Sequence, residues 1–145
     1  MLTSLVGSEM CIRDRTIARD LSLESLLSEK KDFVGKRSLN RKAFTDNNRE
    51  KIVGLVPIDK KTNIPEGSHL VLDKNASLPN PKLGHVSASC WSVEYNNPFS
   101  LAIVKNGHNK LGEKLYAVSP LKNISVAVEV VSQHYVDPEG KRVRS

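Results

Sequence analysis

Cysteine is scarce in this sequence of 145 residues, and so is any pattern of metal ligands. The two cysteines, Cys11 and Cys90, form no CxxC pair, so neither a disulfide framework nor a zinc site is predicted. The four histidines are scattered along the chain: His69, His85, His108 and His134. A lone histidine on a strand is more often a hydrogen-bonded structural residue than a ligand, and we therefore expect no metal site. The cysteine usage favours the cytoplasm as the compartment.

Long apolar runs and aromatic side chains are missing as well. No run approaches the roughly 20 apolar residues of a membrane-spanning helix, so no membrane partner is expected. The net charge is +6, but the basic residues fall in short groups and aromatics make up only 5%. Nucleic-acid binding usually needs a basic helix or groove, or aromatic stacking residues, so no nucleic-acid partner is expected. The remaining composition is typical of one globular domain.

The first fifteen residues lack the basic start and cleavage site of a signal peptide. From Leu5 to Asp14 they instead match, codon by codon, the DNA string CTC GTG GGC TCG GAG ATG TGT ATA AGA GAC of a transposase sequencing adapter. We interpret residues 1–15 as a non-native, adapter-derived segment, and we expect the natural protein to continue upstream. Such a segment has no reason to pack against the domain. The alternative is a genuine amphipathic start.

Residues 16–48 have the pattern of a helical linker. Ile17 to Leu27 carries apolar residues near helical spacing, and Lys36 to Phe44 carries a second, shorter amphipathic pattern. Asp46, Asn47 and Asn48 then favour a turn, because their side chains compete for backbone hydrogen bonds. The apolar face of the first segment has little of its own to cover, which suits a segment that docks on another domain.

From residue 49 to residue 145 the period becomes that of strands. Gly, Pro and Asn fill the gaps between six apolar or alternating runs, and no helical pattern intervenes. The runs are Glu50–Ile58, Ser68–Asp73, Leu83–Tyr95, Ser100–Lys105, Lys114–Val118 and Asn123–Ser132. This spacing predicts an all-β domain, a six-stranded antiparallel barrel of Greek-key type preceded by one or two short helices.

Two finer predictions follow from the strand patterns. One face of the third strand should carry His85, Ser87, Ser89 and Trp91, and the other Val86, Ala88, Cys90 and Ser92. The barrel interior or its packed outer cover should be supplied mostly by nine apolar residues: Val53, Leu55, Val71, Val86, Ala102, Val104, Val126, Val128 and Val130.

Several short motifs in this order resemble a known family. Lys30–Leu39 (KKDFVGKRSL) matches a D-F-I-G-[KR]-x-x-L pattern, Lys51–Val56 (KIVGLV) matches the strand that follows, and Pro65–Gly67 supplies the P-E-G before the next strand. Gly84–Ser92 (GHVSASCWS) resembles G-x-[IV]-T-S-x-x-x-S, and Ser100–Val104 (SLAIV) resembles I-A-L-A-x-[VL]. These motifs resemble the C-terminal β-barrel domain of the aminomethyltransferase (glycine-cleavage T-protein) family.

Within that family, the ending resembles the branch of sarcosine oxidase α subunits. The run Asp137-Pro138-Glu139-Gly140 matches the D-P-E-G-x-R-x-R type of tail of that branch, and Trp91 replaces the more usual Phe of T-proteins. There are departures, since Ser87 replaces the Thr of the T-S pair. The usual Pro-Thr-Leu-Gly is replaced by Val93-Glu94-Tyr95-Asn96. These departures affect the subfamily more than the fold.

The resemblance implies a cofactor and partners. In this family three domains surround tetrahydrofolate, and the assisting acid lies in an upstream domain. The resemblance therefore implies that residues 16–48 link the barrel to a missing upstream folate-binding domain. FAD, FMN and NAD would bind elsewhere in the parent enzyme. The implied partners are the missing N-terminal part of the same chain and the other sarcosine oxidase subunits. The implied reaction is the oxidative demethylation of sarcosine, with transfer of the one-carbon unit to tetrahydrofolate.

The residues themselves predict no catalytic group, because no nucleophile elbow, phosphate loop or pair of close carboxylates is present. Four residues are candidates for the folate pocket: Lys30, Lys31, Trp91 and Tyr135. The lysines lie near a basic position that touches folate in the family, and they suit a carboxylate. A solvated pair that flanks a helix start is the more common reading of such lysines. A lone Trp on a strand is more often a core residue, and the same ambiguity holds for Tyr135.

Rival functions remain open on the sequence alone. An aminomethyltransferase or dimethylglycine dehydrogenase would carry the same type of barrel. A non-catalytic folate-binding accessory module belongs to a different class, and so does a small basic barrel for nucleic acid. Expressed alone, the chain is expected to show no enzyme activity.

Overall fold

The computed structural model describes residues 17–21, 23, 26–46, 48–74, 82–142 and 144 of the chain. The interpretation of residues 1–15 concerns a segment outside this described part. Six strands lie at the places that the sequence patterns predict. They are β1 (Glu50–Pro57), β2 (His69–Val71), β3 (Gly84–Ser92), β4 (Asn97–Lys105), β5 (Lys114–Ser119) and β6 (Ile124–Val131).

The strands form one closed antiparallel barrel in the order β1-β4-β3-β2-β5-β6, with β6 returning to β1. β2, β3 and β4 lie side by side in chain order, and β1 lies beyond β4, which is a Greek-key arrangement. The prediction of a six-stranded antiparallel barrel is confirmed. Closure pairs each strand on both sides, so the barrel presents no open sheet edge.

The barrel interior is filled by small and medium aliphatic side chains. All nine predicted residues are buried. Eight of them belong to the central cluster, whereas Val71 is buried outside it, because its neighbour Leu70 points inward instead. Burying a Val or Leu side chain contributes roughly 1.5–3 kcal/mol. The cluster is completed by residues that the prediction omitted: Ile64, Leu70, Leu115 and Ala117.

A bulge in β3 changes the alternation that we predicted for this strand. Val86 pairs with Ala102, and Ser89, three residues further on, pairs with Ser100, only two residues back along β4. Ser87 is therefore one residue too many for the ladder, as in a β-bulge. Because paired residues point to the same side, Val86 and Ser89 share the inner face. The prediction that one face carries His85, Ser87, Ser89 and Trp91 is wrong for this reason.

The helices before the barrel are short. The described residues of the first pattern include a 3-10 turn at Ala18–Leu21 and a further 3-10 residue, Leu26. The second pattern divides into two one-turn α-helices, Lys36–Leu39 and Lys42–Thr45. The division lies at Arg41, whose backbone is extended (φ −64°, ψ 142°). None of the helices in the described part of the chain is long and apolar enough to cross a membrane.

Tertiary contacts bind the C-terminal end of the 3-10 turn Ala18–Leu21. Gln133 donates from its Nε2 to the carbonyl of Asp20 (2.9 Å), and the ring Nε2 of His134 lies 3.0 Å from the carbonyl of Leu21. Carbonyls at the end of a helix need hydrogen-bond partners from outside it. These two contacts hold the turn against the residues that follow β6.

Candidate functional site

An ion pair fixes the linker (residues 16–48) to the first strand. Asp20 Oδ2 lies 2.7 Å from Arg49 Nη1, and their side chains are only 4% and 13% exposed. The same oxygen accepts a hydrogen bond from the backbone N–H of Ile17 (3.0 Å). The guanidinium of Arg49 also lies over the Phe44 ring, 5.5 Å from its centroid. Arg49 therefore contacts the linker at two places. It binds the start of the linker through the ion pair with Asp20, and the end of the linker through a cation–π contact with Phe44.

His108 lies on the short 3-10 helix Gly107–Lys110, close enough to Asp20 for the carboxylate to affect the pKa of the histidine. Burial lowers the pKa of His108, and the positive charge of Lys51 lowers it further. The carboxylate of Asp20 and a hydrogen bond with the backbone of Ile52 partly oppose this shift. The ring Nε2 is buried and has no hydrogen-bond partner among the described residues. Near neutral pH the folded state therefore favours the neutral ring.

Lys30 and Lys31 lie on the exposed part of the linker. Neither amine forms an ion pair within the described part of the chain, so both are available to an anion. Lys36, which the sequence did not single out, organises their backbone. Its Nζ donates to the carbonyls of Glu29 (2.8 Å) and Lys31 (2.9 Å). A cavity of about 420 Å³ adjoins this loop, between Ser28 and Asn40.

Trp91 lies at the end of β3 and is not part of the barrel core. Its side chain is 47% exposed, and its cross-strand neighbour is Pro98. The indole borders an open cavity of about 730 Å³, together with Cys90, Glu66 and Lys122. A half-exposed indole beside a cavity is suited to stacking against a planar ring.

Tyr135 lies in the tail (residues 132–142), where it packs between two other aromatic rings. Its ring stacks on Phe99 at 5.0 Å, with an interplanar angle of 15°, and contacts Tyr95 at 4.7 Å, tilted by 57°. Its hydroxyl accepts a hydrogen bond from Nδ2 of the buried Asn97 (3.2 Å). These contacts involve both the ring and the hydroxyl of Tyr135, so the residue packs the tail against the start of β4.

The tail is fastened a second time at the tip of the β3–β4 hairpin. Arg142 Nη2 donates to Glu94 Oε1 at 2.7 Å. This hydrogen bond and the positive charge of Arg142 lower the pKa of Glu94. Asp137 accepts the backbone N–H groups of Lys141 and Arg142, which closes the turn that presents the guanidinium.

The four predicted candidates therefore do not converge on one pocket. The two lysines lie together on the linker. Trp91 and Tyr135 both approach the start of β4 but from opposite faces, because Pro98 points to one side and its neighbours Asn97 and Phe99 to the other. The described residues contain no group of three His, Cys, Asp or Glu side chains arranged to hold a metal ion.

Sequence reasoning missed the residues that fasten the linker and the tail. The partners in each pair are far apart in the chain, 29 residues for Asp20 and Arg49 and 48 for Glu94 and Arg142. No local pattern marks such a pair. The one available signal was the aromatic spacing of Tyr95, Phe99 and Tyr135 around a predicted hairpin and tail.

Comparison with known proteins places this geometry in a family. The model of the glycine cleavage T-protein C-terminal barrel domain matches residues 50–137, which is the whole barrel and the start of the tail. The chain is 31% identical over 133 residues to the sarcosine oxidase subunit alpha of Rhizobium meliloti (strain 1021), covering 91% of this chain and 14% of that protein. It is 36% identical over 126 residues to the same subunit of Corynebacterium sp. (strain U-96), covering 86% of this chain and 13% of that protein.

A solved structure is also similar. It is the crystal structure of glycine cleavage system aminomethyltransferase T from Bartonella henselae, with a TM-score of 0.47 and 18% identity over 61% of this chain and 22% of that one. The chain spans about one seventh of the length of the curated relatives it matches. On the match of the family model across all six strands, the chain belongs to the glycine cleavage T-protein C-terminal barrel domain family.

Proposed function

We propose that this chain is the C-terminal barrel of a sarcosine oxidase α subunit, where it forms one wall of a tetrahydrofolate chamber. The observation that carries the proposal is the similarity to two sarcosine oxidase α subunits, at 31% and 36% identity, over 86% or more of this chain. The identity extends beyond the barrel matched by the family model, so it includes part of the linker or of the tail.

The described residues suit one wall of such a chamber. Lys30 and Lys31 offer exposed ammonium groups for the glutamate carboxylates of tetrahydrofolate. Trp91 offers a half-exposed indole beside an open cavity, which fits the planar pterin. Tyr135 supports the hairpin that carries Trp91, through Phe99 and Asn97. These groups lie apart, so a complete site needs surfaces from outside the barrel.

The proposed roles of the barrel and of the rest of the enzyme follow from this geometry. Tetrahydrofolate, when bound, supplies the nitrogen that captures the one-carbon unit released by sarcosine oxidation. Oxidation at flavin, with oxygen giving peroxide, belongs to the rest of the enzyme, where FAD, FMN and NAD bind. The barrel's own tasks are to bind the glutamate tail, to limit the access of water and to hold the neighbouring domain. We further propose that the enzyme works in the cytoplasm.

The partners in this proposal are an upstream folate-binding domain on the same chain and the other subunits of the oxidase. Residues 16–48 would connect that domain to the barrel. Their apolar side chains that remain exposed here, such as Leu26 (76% exposed), would then be covered. Fastening by Asp20 and Arg49 would keep the two domains at a fixed distance.

Two alternatives with the same type of barrel remain, an aminomethyltransferase and a dimethylglycine dehydrogenase. The tail run Asp137-Pro138-Glu139-Gly140 and the relatives' names favour sarcosine oxidase. A non-catalytic folate-binding module is the alternative of another class. It would have to bind tetrahydrofolate without further domains, which the separation of the candidate residues disfavours.

A chimeric enzyme tests the proposal. In the α subunit from Corynebacterium sp. (strain U-96), the matching 126-residue region is replaced by the corresponding part of this chain, and the subunit is assembled with its natural partners. We expect peroxide formation with sarcosine, and capture of the one-carbon unit by tetrahydrofolate. The double variant Lys30→Met, Lys31→Met should raise the KM for tetrahydrofolate and leave peroxide formation unchanged. Lys105→Met, Lys114→Met removes two exposed lysines elsewhere and serves as the control.

The outcome separates the alternatives. A chimera that assembles, but oxidises dimethylglycine in preference to sarcosine, would favour the dehydrogenase. One that assembles and shows no amine oxidation would contradict the proposal. If both lysine pairs change the KM equally, the linker lysines have no specific part in folate binding.

A further inference from the structure

A row of side chains crosses the outer face of the barrel from β3 to β6. His85 pairs with His69, His69 with Val118, and Val118 with Ser125. Their chain neighbours Val86, Leu70, Ala117 and Val126 belong to the central cluster, so the row itself points outward. None of these residues was a candidate on the sequence, because they come from four different strands.

A cavity of about 680 Å³ lies over this row. Its polar lining includes His69, Lys74, Lys82 and Ser125, and its apolar lining includes Val118 and Ile124. Lys74 follows the end of β2 and Lys82 precedes the start of β3, and the β5–β6 turn forms the other side of the cavity. The volume is in the range of cavities that hold small organic ligands, about 300–1,000 Å³.

Two polar atoms in this row are buried and lack partners. The Nδ1 of His69 and the Oγ of Ser125 have almost no contact with water, and neither has a hydrogen-bond partner among the described residues. Buried polar atoms without partners are uncommon in native proteins, and each calls for an explanation. A ligand that accepts hydrogen bonds would satisfy both.

The charges around the cavity are mainly positive. Neither Lys74 nor Lys82 is in an ion pair within the described part of the chain. Burial lowers the pKa of His69, and the positive charges of Lys82 and His85 lower it further. Among the described residues, the acid Glu50 borders a smaller cavity together with His69 and His85. An anion in the larger cavity would oppose the effect of Lys82 on the pKa of His69.

We propose that this cavity binds an organic phosphate monoester whose body is apolar. Two ammonium groups, a ring N–H and a hydroxyl form four donor groups with two positive charges, which match the three terminal oxygens and the roughly two negative charges of a phosphate monoester better than the single charge of a carboxylate. Val118 and Ile124 provide the surface for the apolar body. The site stands on residues that the folate proposal does not use, so either proposal can fail without the other.

Titration of the full chain with phenyl phosphate tests the site. The ring protons of His69, identified by comparison with the His69→Asn variant, report on the cavity by NMR. We expect saturable binding with a dissociation constant of about 1 mM or below and a rise in the pKa of His69. Inorganic phosphate and benzoate form the two comparison arms. Inorganic phosphate should bind more weakly, since it lacks the apolar body, and benzoate more weakly, since it leaves donors unused.

Matched variants decide whether the effect is local. Lys74→Met, Lys82→Met removes both ammonium groups and keeps the aliphatic stems, and should weaken binding about tenfold or more. Lys105→Met, Lys114→Met changes the net charge equally and should have less than about a twofold effect. Ser125→Ala is a smaller change that keeps the fold and should also weaken binding. Equal losses in the two lysine pairs, or no saturation, would overturn the proposal, and tighter binding of benzoate would overturn the choice of phosphate.

Discussion

Asp20 has only 3% of its surface exposed, although carboxylates almost never lose contact with water unless they are paired. Its partner Arg49 supplies the compensating charge, and the backbone of Ile17 supplies a second hydrogen bond. Removing one partner of such a pair strongly destabilises a protein, because the remaining charge stays buried without a counter-charge. This pair holds the start of the linker on the barrel, together with the contacts of Gln133 and His134.

Asp20→Asn is expected to lower the free energy of unfolding by about 1.5–3 kcal/mol, the range for a hydrogen bond to a charged group. The control is Glu139→Gln, which removes the ion pair with Lys141, whose two side chains are 67% and 79% exposed. Exposed pairs contribute little, so the control should be nearly neutral. Urea denaturation of both variants measures the difference. Equal effects would mean that the linker is not held by this pair.

His108 gives the protein a pH dependence with a definite sign. Its pKa in the folded state lies below the ordinary value of 6.5, so the unfolded state binds more protons near that pH. The stabilisation is complete above about pH 6.5 and is lost progressively as the pH falls toward the lowered pKa of the folded state. His69 contributes with the same sign, because its pKa is lowered as well.

His108→Gln should therefore reduce, but not abolish, the loss of stability on acidification from about pH 7.5 to pH 5. Gln keeps a donor for the backbone carbonyl of Ile52 and cannot titrate. Urea denaturation at a series of pH values gives the slope for each protein. A slope that stays the same in the variant would assign the pH dependence to other groups.

Side-chain contacts join the tail to the β3–β4 hairpin. Tyr135 packs on Phe99 and Tyr95, and Arg142 pairs with Glu94 at the hairpin tip. The Phe99 ring also packs closely against Gly54 of β1, because a Cβ at that position would lie 2.7 Å from the ring. The hairpin that carries Trp91 is therefore held by an element that follows the barrel.

Tyr135→Phe should lower the free energy of unfolding by about 1–3 kcal/mol, because it leaves the buried amide of Asn97 without its acceptor. Tyr116→Phe is the matched control, on the outer side of β5, and should cost less. Thermal unfolding compares the two variants. If Tyr116→Phe is the more destabilising change, the tail does not support the hairpin in the way described.

The elements differ in how far the sequence predicts them. The six strands follow from alternation and turn residues, because those signals are local and burial reinforces them. The bulge at Ser87 leaves no such signal, so the faces of β3 were predicted wrongly beyond it. The contacts of Gln133 and His134 with the 3-10 turn before the barrel leave no local signal either, because the partners lie 113 residues apart in the chain.

The sequence motifs predicted the family and the fold of the whole molecule, but the sequence predicted the candidate site less well. Lys30 and Lys31 are exposed and Trp91 borders a cavity, but Tyr135 supports the hairpin and the four do not meet. In the proposed function the pocket lies between domains, and the residues of one domain alone do not define such a pocket.

Calorimetric titration with tetrahydrofolate, on the chain alone and on the chimeric α subunit, tests whether the barrel forms one wall of a folate chamber. The chain alone is expected to give no stoichiometric binding and no oxidase turnover, since each missing charge-assisted hydrogen bond costs about 1.5–3 kcal/mol and several are missing. The chimera is expected to bind one equivalent. Tight binding to the isolated chain would contradict the account and favour a self-sufficient folate module, and a properly assembled chimera that binds none would contradict the barrel's place in the chamber.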